Sequence, residues 1–455
     1  MKKLLKIIAA VTCGAACALS AACTPIASAT MPKGESVLLG GAAEAAPLTY
    51  DELTGDILVN MRQKTEEFAS RFAACAYSAS DGAQNMAVSP VSVYIALSLA
   101  AECAAGQTRS ELLSALGADY AELKTGISYL YRSLSREYTS ETFNGKEKVT
   151  AMLDLGNSIW LNDGTEVKED CIKSLSGDYF CNSFSADFKN GNAAANRAVR
   201  DFVKERTKGL IDKDFALADD TVFALINTLY LKDVWNTYGN DLFLTTSPYK
   251  FTQSDGTEKS LKMLSGYYTV GKAYASQSYK TFYTRTEHGY ELKFILPNEG
   301  YTLSDVFTAE NISAVNAIED WGGCDEVNKI RYNTRCIFPE FEASYDEDVK
   351  DLLKSNFGIN AIFDKYACDY SSLCVLPSAD YENVYCKEVR HVTTLNVDRT
   401  GIEGAAVTVI TNSGVTSIGP EYQDEFLDFV VDKSFGFILT DSYGTTLFSG
   451  TVNKI

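Results

Sequence analysis

Few residues of this chain could carry acid–base or metal chemistry. Two histidines are present, His288 and His391, which limits both metal coordination and proton transfer. The sequence has no HExxH, GxSxG, GxxxxGKS or GxxxxGKT pattern, the signatures of zinc metalloproteases, α/β hydrolases and P-loop nucleotide hydrolases. A Ser-His-Asp hydrolase would have to use one of the two histidines without a supporting motif. The sequence therefore favours a binding or inhibitory protein over an enzyme, with no metal and no cofactor.

The twelve cysteines could form a disulfide framework. Cys13 and Cys17 fall in a leader segment, and Cys23 is a candidate for lipid attachment. Nine cysteines remain, an odd number without CxxC spacing: Cys75, Cys103, Cys171, Cys181, Cys324, Cys336, Cys368, Cys374 and Cys386. A chain of this length can build a core without disulfides, and an inaccessible cysteine behaves as a small apolar residue. Buried free thiols are the favoured interpretation, and pairing stays open.

The N-terminus is typical of a secretory signal peptide, which we place at residues 1–22. Three lysines, Lys2, Lys3 and Lys6, flank the start of an apolar stretch that ends in small residues. The segment LSAAC, ending at Cys23, is similar to a bacterial lipobox, although Ser20 stands where leucine is usual. Lipidation at Cys23 would hold the protein on the membrane. Ordinary cleavage after Ala29 is the alternative, and would release a soluble secreted protein.

Composition separates a linker from a globular region. Residues 23–48 are rich in Ala, Gly, Ser and Pro and are predicted to be a flexible tether. Residues 49–455 have the mixed composition of a folded domain, without internal repeats. The formal charge of −19 argues against nucleic acid and anionic membrane surfaces as partners.

Hydrophobic periodicity predicts helices early and strands late in the domain, a mixed α+β arrangement. A helix is expected over 51–78, another after Ser89 with Pro90 in its first turn, and a third from Thr108 with Glu111 completing a capping box. Further helices are expected around 193–208 and 346–357. Strands rich in branched and aromatic residues are expected at 222–232, 290–297, 388–397, 435–441 and 446–452.

Six segments, taken in order, resemble the serpin family of serine protease inhibitors over about residues 50–455. They are NMAVSPVSVYIALSLAAECAAGQT (85–108), DFVKERTKGLI (201–211), ALINTLYLKDVW (224–235), FPEFEASYDEDVKDLLKSNFGINAIF (338–363), FVVDKSFGFIL (429–439) and LFSGTV (447–452). Ser434 replaces the family's proline. The resemblance implies one serpin domain with a large central mixed sheet, two further sheets, about eight to nine helices and an exposed reactive loop. It also implies a monomer.

The resemblance assigns a hydrogen-bonded cluster that holds the central sheet closed yet able to open. Its members here are Ser89, Ser92, Asn227 and His391. Trp235 corresponds to the tryptophan beneath the top of the sheet, where loop insertion starts. From the residues alone, His391 could equally be a core histidine with satisfied hydrogen bonds. His288 lies in a turn-like EHG segment and is predicted to be exposed.

The resemblance also places a reactive loop that begins about Asp398. Its hinge is Gly401, Ile402, Glu403, Gly404, Ala405, Ala406, Val407 and Thr408. Small residues let the hinge insert quickly into the sheet after a protease has cut the loop, and residues Ile402, Gly404, Ala406 and Thr408 should face the core. Arg399 and Ile402 depart from the family pattern of glutamate and threonine.

Family spacing from Gly401 puts the scissile bond at Val415–Thr416, with Ile418 as an alternative. A small branched residue suits the shallow apolar pocket of an elastase-like serine protease, whereas a trypsin-like pocket requires Lys or Arg. The expected partner is thus an extracellular elastase-like protease. Two alternatives remain open, a non-inhibitory serpin-fold protein used for binding or adhesion and an unrelated surface hydrolase.

Overall fold

The computed structural model describes residues 36–141, 147–235, 242–375, 385–387, 389–402 and 422–455. These ranges contain ten α helices, where the sequence predicted eight to nine, and one 3-10 turn at Ala361–Phe363. The helices are α1 (Tyr50–Thr54), α2 (Asp56–Ala79), α3 (Pro90–Cys103), α4 (Gly106–Leu116), α5 (Tyr120–Leu134), α6 (Glu169–Asp178), α7 (Asn192–Arg206), α8 (Leu303–Val306), α9 (Ala309–Asn316) and α10 (Lys350–Phe357).

The described residues also form twenty-four strands. They are β1 (Val37–Gly40), β2 (Met86–Val88), β3 (Arg136–Glu141), β4 (Glu147–Asn162), β5 (Glu166–Val167), β6 (Cys181–Ala186), β7 (Phe223–Val234), β8 (Phe243–Leu244), β9 (Tyr249–Thr252), β10 (Glu258–Leu261), β11 (Leu264–Ser265), β12 (Thr269–Val270), β13 (Tyr274–Ala275), β14 (Tyr279–Arg285), β15 (Glu291–Pro297), β16 (Cys324–Asp325), β17 (Ile330–Phe338), β18 (Phe341–Asp348), β19 (Cys374–Val375), β20 (Arg390–Val397), β21 (Gly401–Ile402), β22 (Gln423–Val430), β23 (Phe435–Thr440) and β24 (Thr446–Val452).

One large mixed sheet and two six-stranded sheets organise the molecule, which confirms the α+β prediction and its three principal sheets. The large sheet has the order β1-β6-β4-β7-β21-β20-β18, and β3 pairs with β4 at its side. The β4–β6 pair is parallel, while β4–β7, β7–β21, β21–β20 and β20–β18 are antiparallel. The second sheet joins β12, β17, β11 and β8 with β16 and β22, and the third has the order β13-β14-β15-β23-β24-β2.

The start of the fold differs from the predicted linker and first helix. Val37–Gly40, part of the predicted tether, pairs with β6 as strand β1, because its apolar run can extend the edge of the sheet. The helix predicted over 51–78 is two helices, separated at Gly55. A Cβ atom there would lie 2.9 Å from the Asp51 carbonyl oxygen, so the close approach of the backbone requires glycine.

Two predicted helix caps are wrong in detail. Ser89 precedes α3 and Pro90 is its first residue, but the Ser89 hydroxyl makes no capping bond and is used elsewhere. The α4 helix begins at Gly106, so Thr108 lies inside it and its hydroxyl accepts the Asp369 amide at 2.8 Å. The Glu111 carboxylate accepts the amides of Asn360 and Ala361 instead of closing a capping box. Tertiary partners have replaced the local ones.

Two hydrophobic cores support the large sheet. The larger core lies between helices α2 and α3 and all three main sheets. A smaller one holds α7 against the sheet through Trp160, Phe184 and Phe202, with the Trp160 and Phe184 rings stacked at 4.4 Å. Across the residues described, no helix combines the length and apolar character needed to span a bilayer.

Candidate functional site

The hinge predicted from the sequence begins as a strand inside the large sheet. Gly401 pairs with Val234 of β7, and Ile402 pairs with both Asp233 of β7 and Val397 of β20. Ile402 is fully buried, as predicted for the first inward-facing hinge residue. A Cβ atom on Gly401 would lie 2.0 Å from the Asp233 carbonyl oxygen, so a side chain here would push β21 away from β7.

A turn at Asp398 holds the base of this strand. The Asp398 carboxylate accepts the Thr400 amide at 2.7 Å, the Thr400 hydroxyl at 2.6 Å and the Gly401 amide at 3.2 Å. The Arg399 amide donates to the Glu340 carboxylate at 3.1 Å. The hinge base is therefore fixed by backbone donors, although Arg399 occupies the position where the family usually has glutamate.

Trp235 lies beneath this turn, where the resemblance placed it. Its indole N–H donates to the Asp398 carbonyl at 2.6 Å, and its ring meets Phe338 edge-on at 5.7 Å. The side chain is buried, and an isolated bridge to Thr286 ties its backbone to the third sheet. Trp235 thus links the end of β7 to the base of the hinge.

Below Ile402, strands β7 and β20 lie apart in the described part of the large sheet. In the described part of the sheet, β7 and β20 each pair with β21, and no pairing joins β7 directly to β20. A cavity of about 840 Å³ lies here, lined by residues 223–229 of β7, residues 390–393 of β20 and Ser92, Val93 and Ala96 of α3. We call this space the β7–β20 cleft.

Three of the four predicted cluster residues meet at the floor of the cleft. The Ser89 amide donates to the His391 Nε2 atom at 3.0 Å, and the Ser89 hydroxyl donates to the Ser92 hydroxyl at 3.1 Å. Burial lowers the pKa of His391 to about 3, so the imidazole is neutral at physiological pH. Phe72 packs edge-on against its ring at 5.9 Å.

Asn227 lies across the cleft from those three residues. Its amide nitrogen donates to the Asn157 side chain at 2.6 Å, and its Oδ1 atom is buried and has no hydrogen-bond partner among the described residues. The separation of β7 from β20 explains why Asn227 does not join the hydrogen bonds of Ser89, Ser92 and His391. An unpartnered buried oxygen is costly, so a hydrogen-bond donor placed beside it would be stabilising.

The prediction for His288 is wrong as to exposure. His288 does lie in the turn after β14, but its side chain is 19% exposed and its Nδ1 atom is 2.7 Å from the Asp233 carboxylate. The same carboxylate accepts the His288 amide at 3.0 Å. Asp233 is buried beside Ile402, so this pair supports the strand that carries the hinge. No local signal in the sequence joins residues so far apart.

Several predicted sites lie outside the described residues. These are the remainder of the hinge, Glu403, Gly404, Ala405, Ala406, Val407 and Thr408, the scissile residues Val415 and Thr416 with the alternative Ile418, and the lipid-attachment candidate Cys23. Among the residues that are described, no three or more His, Cys, Asp or Glu side chains are grouped so that they could hold a metal ion.

Most of the nine predicted thiols are buried. Six are buried: Cys103, Cys171, Cys181, Cys336, Cys368 and Cys374. Cys75 and Cys386 are partly exposed, and Cys324 is exposed, contrary to the prediction. Cys324 lies on the short edge strand β16, which is reached by solvent.

Comparison with known proteins gives a consistent result. Residues 63–455 match the sequence model of the family described as Serpin (serine protease inhibitor). The chain is similar to neuroserpin of Homo sapiens, with 26% identity over 387 residues covering 81% of this chain and 86% of that protein. It is also similar to serine protease inhibitor 42Dd of Drosophila melanogaster, with 24% identity over 373 residues covering 81% of this chain and 91% of that protein.

Solved structures show the same fold. The thermophilic serpin tengpin in its native state has a TM-score of 0.69 at 21% identity, covering 93% of this chain and all of that one. Thyroxine-binding globulin in complex with thyroxine has a TM-score of 0.67 at 21% identity, covering 87% of this chain and 99% of that one. The two proteins share the arrangement of helices and sheets seen here.

Proposed function

The chain belongs to the serpin family of serine protease inhibitors, and from this premise we propose that it is a single-use inhibitor of elastase-like serine proteases. A protease cuts the loop at Val415–Thr416, and its catalytic serine becomes acylated by the carbonyl carbon of Val415. The hinge then inserts into the β7–β20 cleft before water releases the enzyme. The observation that carries this proposal is β21, because its two residues already lie between β7 and β20 above an open cleft.

The registers of the two neighbouring strands agree on the path of insertion. Ile402 pairs with Asp233 on one side and with Val397 on the other, and both pairings are antiparallel. Continued along the strand, these registers place Thr408 opposite both Asn227 and His391. The Thr408 hydroxyl then lies beside the unpartnered Oδ1 atom of Asn227. Insertion of the hinge would therefore satisfy a group that the open cleft leaves without a hydrogen bond.

Side-chain alternation supports the same path. Ile402 is buried on the core side, so Gly404, Ala406 and Thr408 would face the core when the strand is extended. All three are small, and none introduces a charge into the sheet. New ladder bonds and buried side chains supply the free energy that holds the acylated protease in place.

A non-inhibitory serpin-fold protein is the second candidate. Thyroxine-binding globulin has the same fold and is seen with a bound small molecule. Ile402 is larger than the family's threonine and could slow insertion, but it is already accommodated without exposure at the top of the sheet. The observed burial of Ile402 favours inhibition.

We further propose that the chain acts outside the cell as a monomer. The signal-like residues 1–22 would direct export, with a lipid at Cys23 as the anchor and release after Ala29 as the alternative. Neither nucleic acid nor a cofactor is part of the proposal.

Substitution of Val415, the residue before the proposed scissile bond, tests which bond the protease cuts. A Val415→Arg variant should lose complex formation with an elastase and gain it with trypsin, because a trypsin-like pocket requires a basic side chain. Elastase should release a C-terminal fragment from the wild-type chain, and the mass of this fragment should show that it begins at Thr416. Ile418→Arg is the matched control and should gain no trypsin complex. If only the Ile418→Arg variant gains a complex with trypsin, the scissile bond is the one that follows Ile418.

A further inference from the structure

The second sheet carries exposed apolar side chains on the face that points away from the core. Along β17 and β22 successive side chains alternate between two faces, and Cys336 and Phe429 are buried on the inner one. Phe426, in the opposite phase of β22, is 60% exposed. Three further exposed apolar residues lie in neighbouring strands or beside them, namely Phe243, Tyr268 and Val270. We call these four residues the outer patch.

Strand registers place the outer patch on one face of the sheet. Val270 and Phe426 both lie opposite Asn333 of β17, one from each side. Phe243 joins them through β11, because its partner on that strand lies opposite Ile337 of β17. Asn333 and Ile337 are four residues apart on one strand, so their side chains point to the same face. The outer patch therefore crosses the sheet from β8 to β22.

The aromatic rings of the outer patch are held in place before any partner binds. Tyr268 meets Phe426 edge-on, with the ring centres 4.9 Å apart. The Arg335 guanidinium lies over the Tyr268 ring at 5.0 Å, and its Nε atom donates to the Asp428 carboxylate at 2.6 Å. Rings fixed in this way lose little freedom on binding, which favours association. A pre-ordered aromatic surface bordered by polar groups is typical of a protein–protein contact.

The charges that border the outer patch are balanced. Arg335 pairs with Asp428, and the Arg331 Nε atom lies 3.6 Å from the Asp424 carboxylate. The same Asp424 carboxylate accepts the Asn333 side-chain amide at 3.0 Å. These two ion pairs add no net charge, although the whole chain has a formal charge of −19. A partner of this face would therefore be recognised by apolar contact rather than by charge.

The proposed reactive bond lies close to this face along the chain. Val415 is eight residues before Gln423, where β22 begins, and thirteen residues after Ile402. Eight residues span at most about 28 Å and thirteen about 45 Å, so the bond is tied more closely to β22 than to the hinge. Phe426 is three residues into β22, about 10 Å from its start. A globular protease of about 230 residues is about 40 Å across, so it can reach the outer patch while bound at Val415.

We propose that the outer patch is a second docking surface for the target protease, which contacts it through an apolar surface beside its active site. This proposal rests on the proposed function and adds a contact outside the reactive loop. The contact forms in the encounter complex, while the chain from Val415 to β22 is still continuous. Cleavage after Val415 frees the acylated protease from β22, so the contact is lost as the hinge inserts. The outer patch therefore speeds capture of the protease and has no part in insertion.

Two substitutions on the outer patch test the proposal. Phe426→Ser and Tyr268→Ser each remove an exposed ring, and each should lower the second-order rate constant for covalent complex formation with elastase by about tenfold. The number of chains consumed per trapped protease should stay at the wild-type value, because insertion does not use the outer patch. The loss should be equal at low and high salt, since the patch carries no net charge. Tyr366→Ser is the matched control, because this exposed tyrosine lies outside the second sheet, and its rate constant should match the wild type.

An elastase whose catalytic serine is replaced by alanine separates docking from trapping. This protease cannot be acylated, so its affinity for the intact chain reports the encounter complex alone. We expect both outer-patch variants to bind it about tenfold more weakly than the wild type does. Such a loss, seen without any covalent band for the wild type and active elastase, would contradict inhibition and still support the docking surface. Unchanged rate constants and affinities in both variants would overturn the docking surface, and a covalent band would then leave inhibition standing.

Sedimentation of the free chain tests whether a second copy occupies the outer patch instead. The wild type should sediment as a monomer, with its outer patch available to the protease. A wild-type dimer that Phe426→Ser converts to a monomer would assign the outer patch to self-association and overturn the proposal. Absence of binding between the wild type and the alanine-substituted elastase would also overturn it. If one of the two variants does not fold, the other decides.

Discussion

At the scale of single residues, two buried ionisable groups give the protein opposite responses to pH. The neutral His391, with its lowered pKa, favours the folded state above about pH 6.5, and this contribution is lost as the pH falls toward 3. Glu66 behaves in the opposite way. Part of its side chain reaches the surface, but its carboxylate is enclosed between α2, α9 and β24, and burial raises its pKa to about 7.

The Glu66 carboxylate is held by Thr446 and Asn316. It accepts the Thr446 amide and hydroxyl at 2.6 Å each and the Asn316 amide group at 2.9 Å. Because its pKa is raised in the folded state, Glu66 keeps a proton there between about pH 4.5 and pH 7, whereas the unfolded chain has released it. Its contribution to stability is present below about pH 4.5 and is lost as the pH rises through 7.

Replacement of Glu66 should therefore change how stability depends on pH. Between about pH 5 and about pH 8, a Glu66→Gln variant should gain about 2 kcal/mol in unfolding free energy relative to the wild type. Urea unfolding at the two pH values measures this difference. The contribution of His391 to the pH dependence cancels, because both proteins contain this residue. Glu67→Gln, on the exposed neighbour, should follow the wild type. Parallel pH profiles for Glu66→Gln and the wild type would show that Glu66 is not protonated in the folded state.

Some residues of the candidate site follow from the sequence and others do not, for a physical reason. His391, Trp235 and Gly401 could be placed because short motifs surround them. The Asp233–His288 pair could not, since it depends on the turn after β14 lying against the end of β7. Asn227 was correctly placed on its strand, but its partner, Asn157, is set by the β4–β7 register, which the sequence alone does not fix.

At the scale of elements, the proposed inhibition depends on whether the hinge can become a full strand. Lengthening of β21 through the β7–β20 cleft would form about ten new ladder hydrogen bonds, each worth about 1 kcal/mol. Cleavage of the loop should therefore raise the thermal midpoint by more than about 10 °C, measured by circular dichroism before and after a brief digestion.

Two hinge variants form a matched pair for this measurement. Thr408→Arg places a charge on the core-facing side and should abolish the rise after cleavage, because the charge would have to be buried beside His391 and Asn227. Val407→Arg places the same charge on the opposite face of the strand, and this variant should keep the rise in thermal midpoint after cleavage. An unchanged midpoint in the cleaved wild type would favour the non-inhibitory candidate.

The elements themselves were predicted unevenly. Strands with branched and aromatic runs, such as β7, β15 and β24, agree with the sequence to within a few residues. Helix starts were less accurate, because tertiary contacts override local caps: Glu111 bonds to residues 360 and 361 rather than to its own helix. The break at Gly55 and the strand β1 inside the predicted tether likewise come from packing that a local pattern does not contain.

At the scale of the whole molecule, the fold followed from six motifs in the correct order over about 400 residues, and the comparison with known proteins confirms the family. What the order of motifs does not specify is the state of the central sheet. The separation of β7 from β20, and the presence of Gly401–Ile402 between them, come from the structure alone.

The most direct test of inhibition is a covalent complex. The chain is incubated with an elastase and, separately, with trypsin, and the products are separated in SDS without reduction. With elastase we expect a band at the combined mass of the protease and of the chain up to Val415, because the acyl bond survives denaturation while the cleaved fragment 416–455 separates. With trypsin we expect no such band. Cleavage of the chain by elastase without such a band would contradict the proposed mechanism and show that the protein is only a substrate.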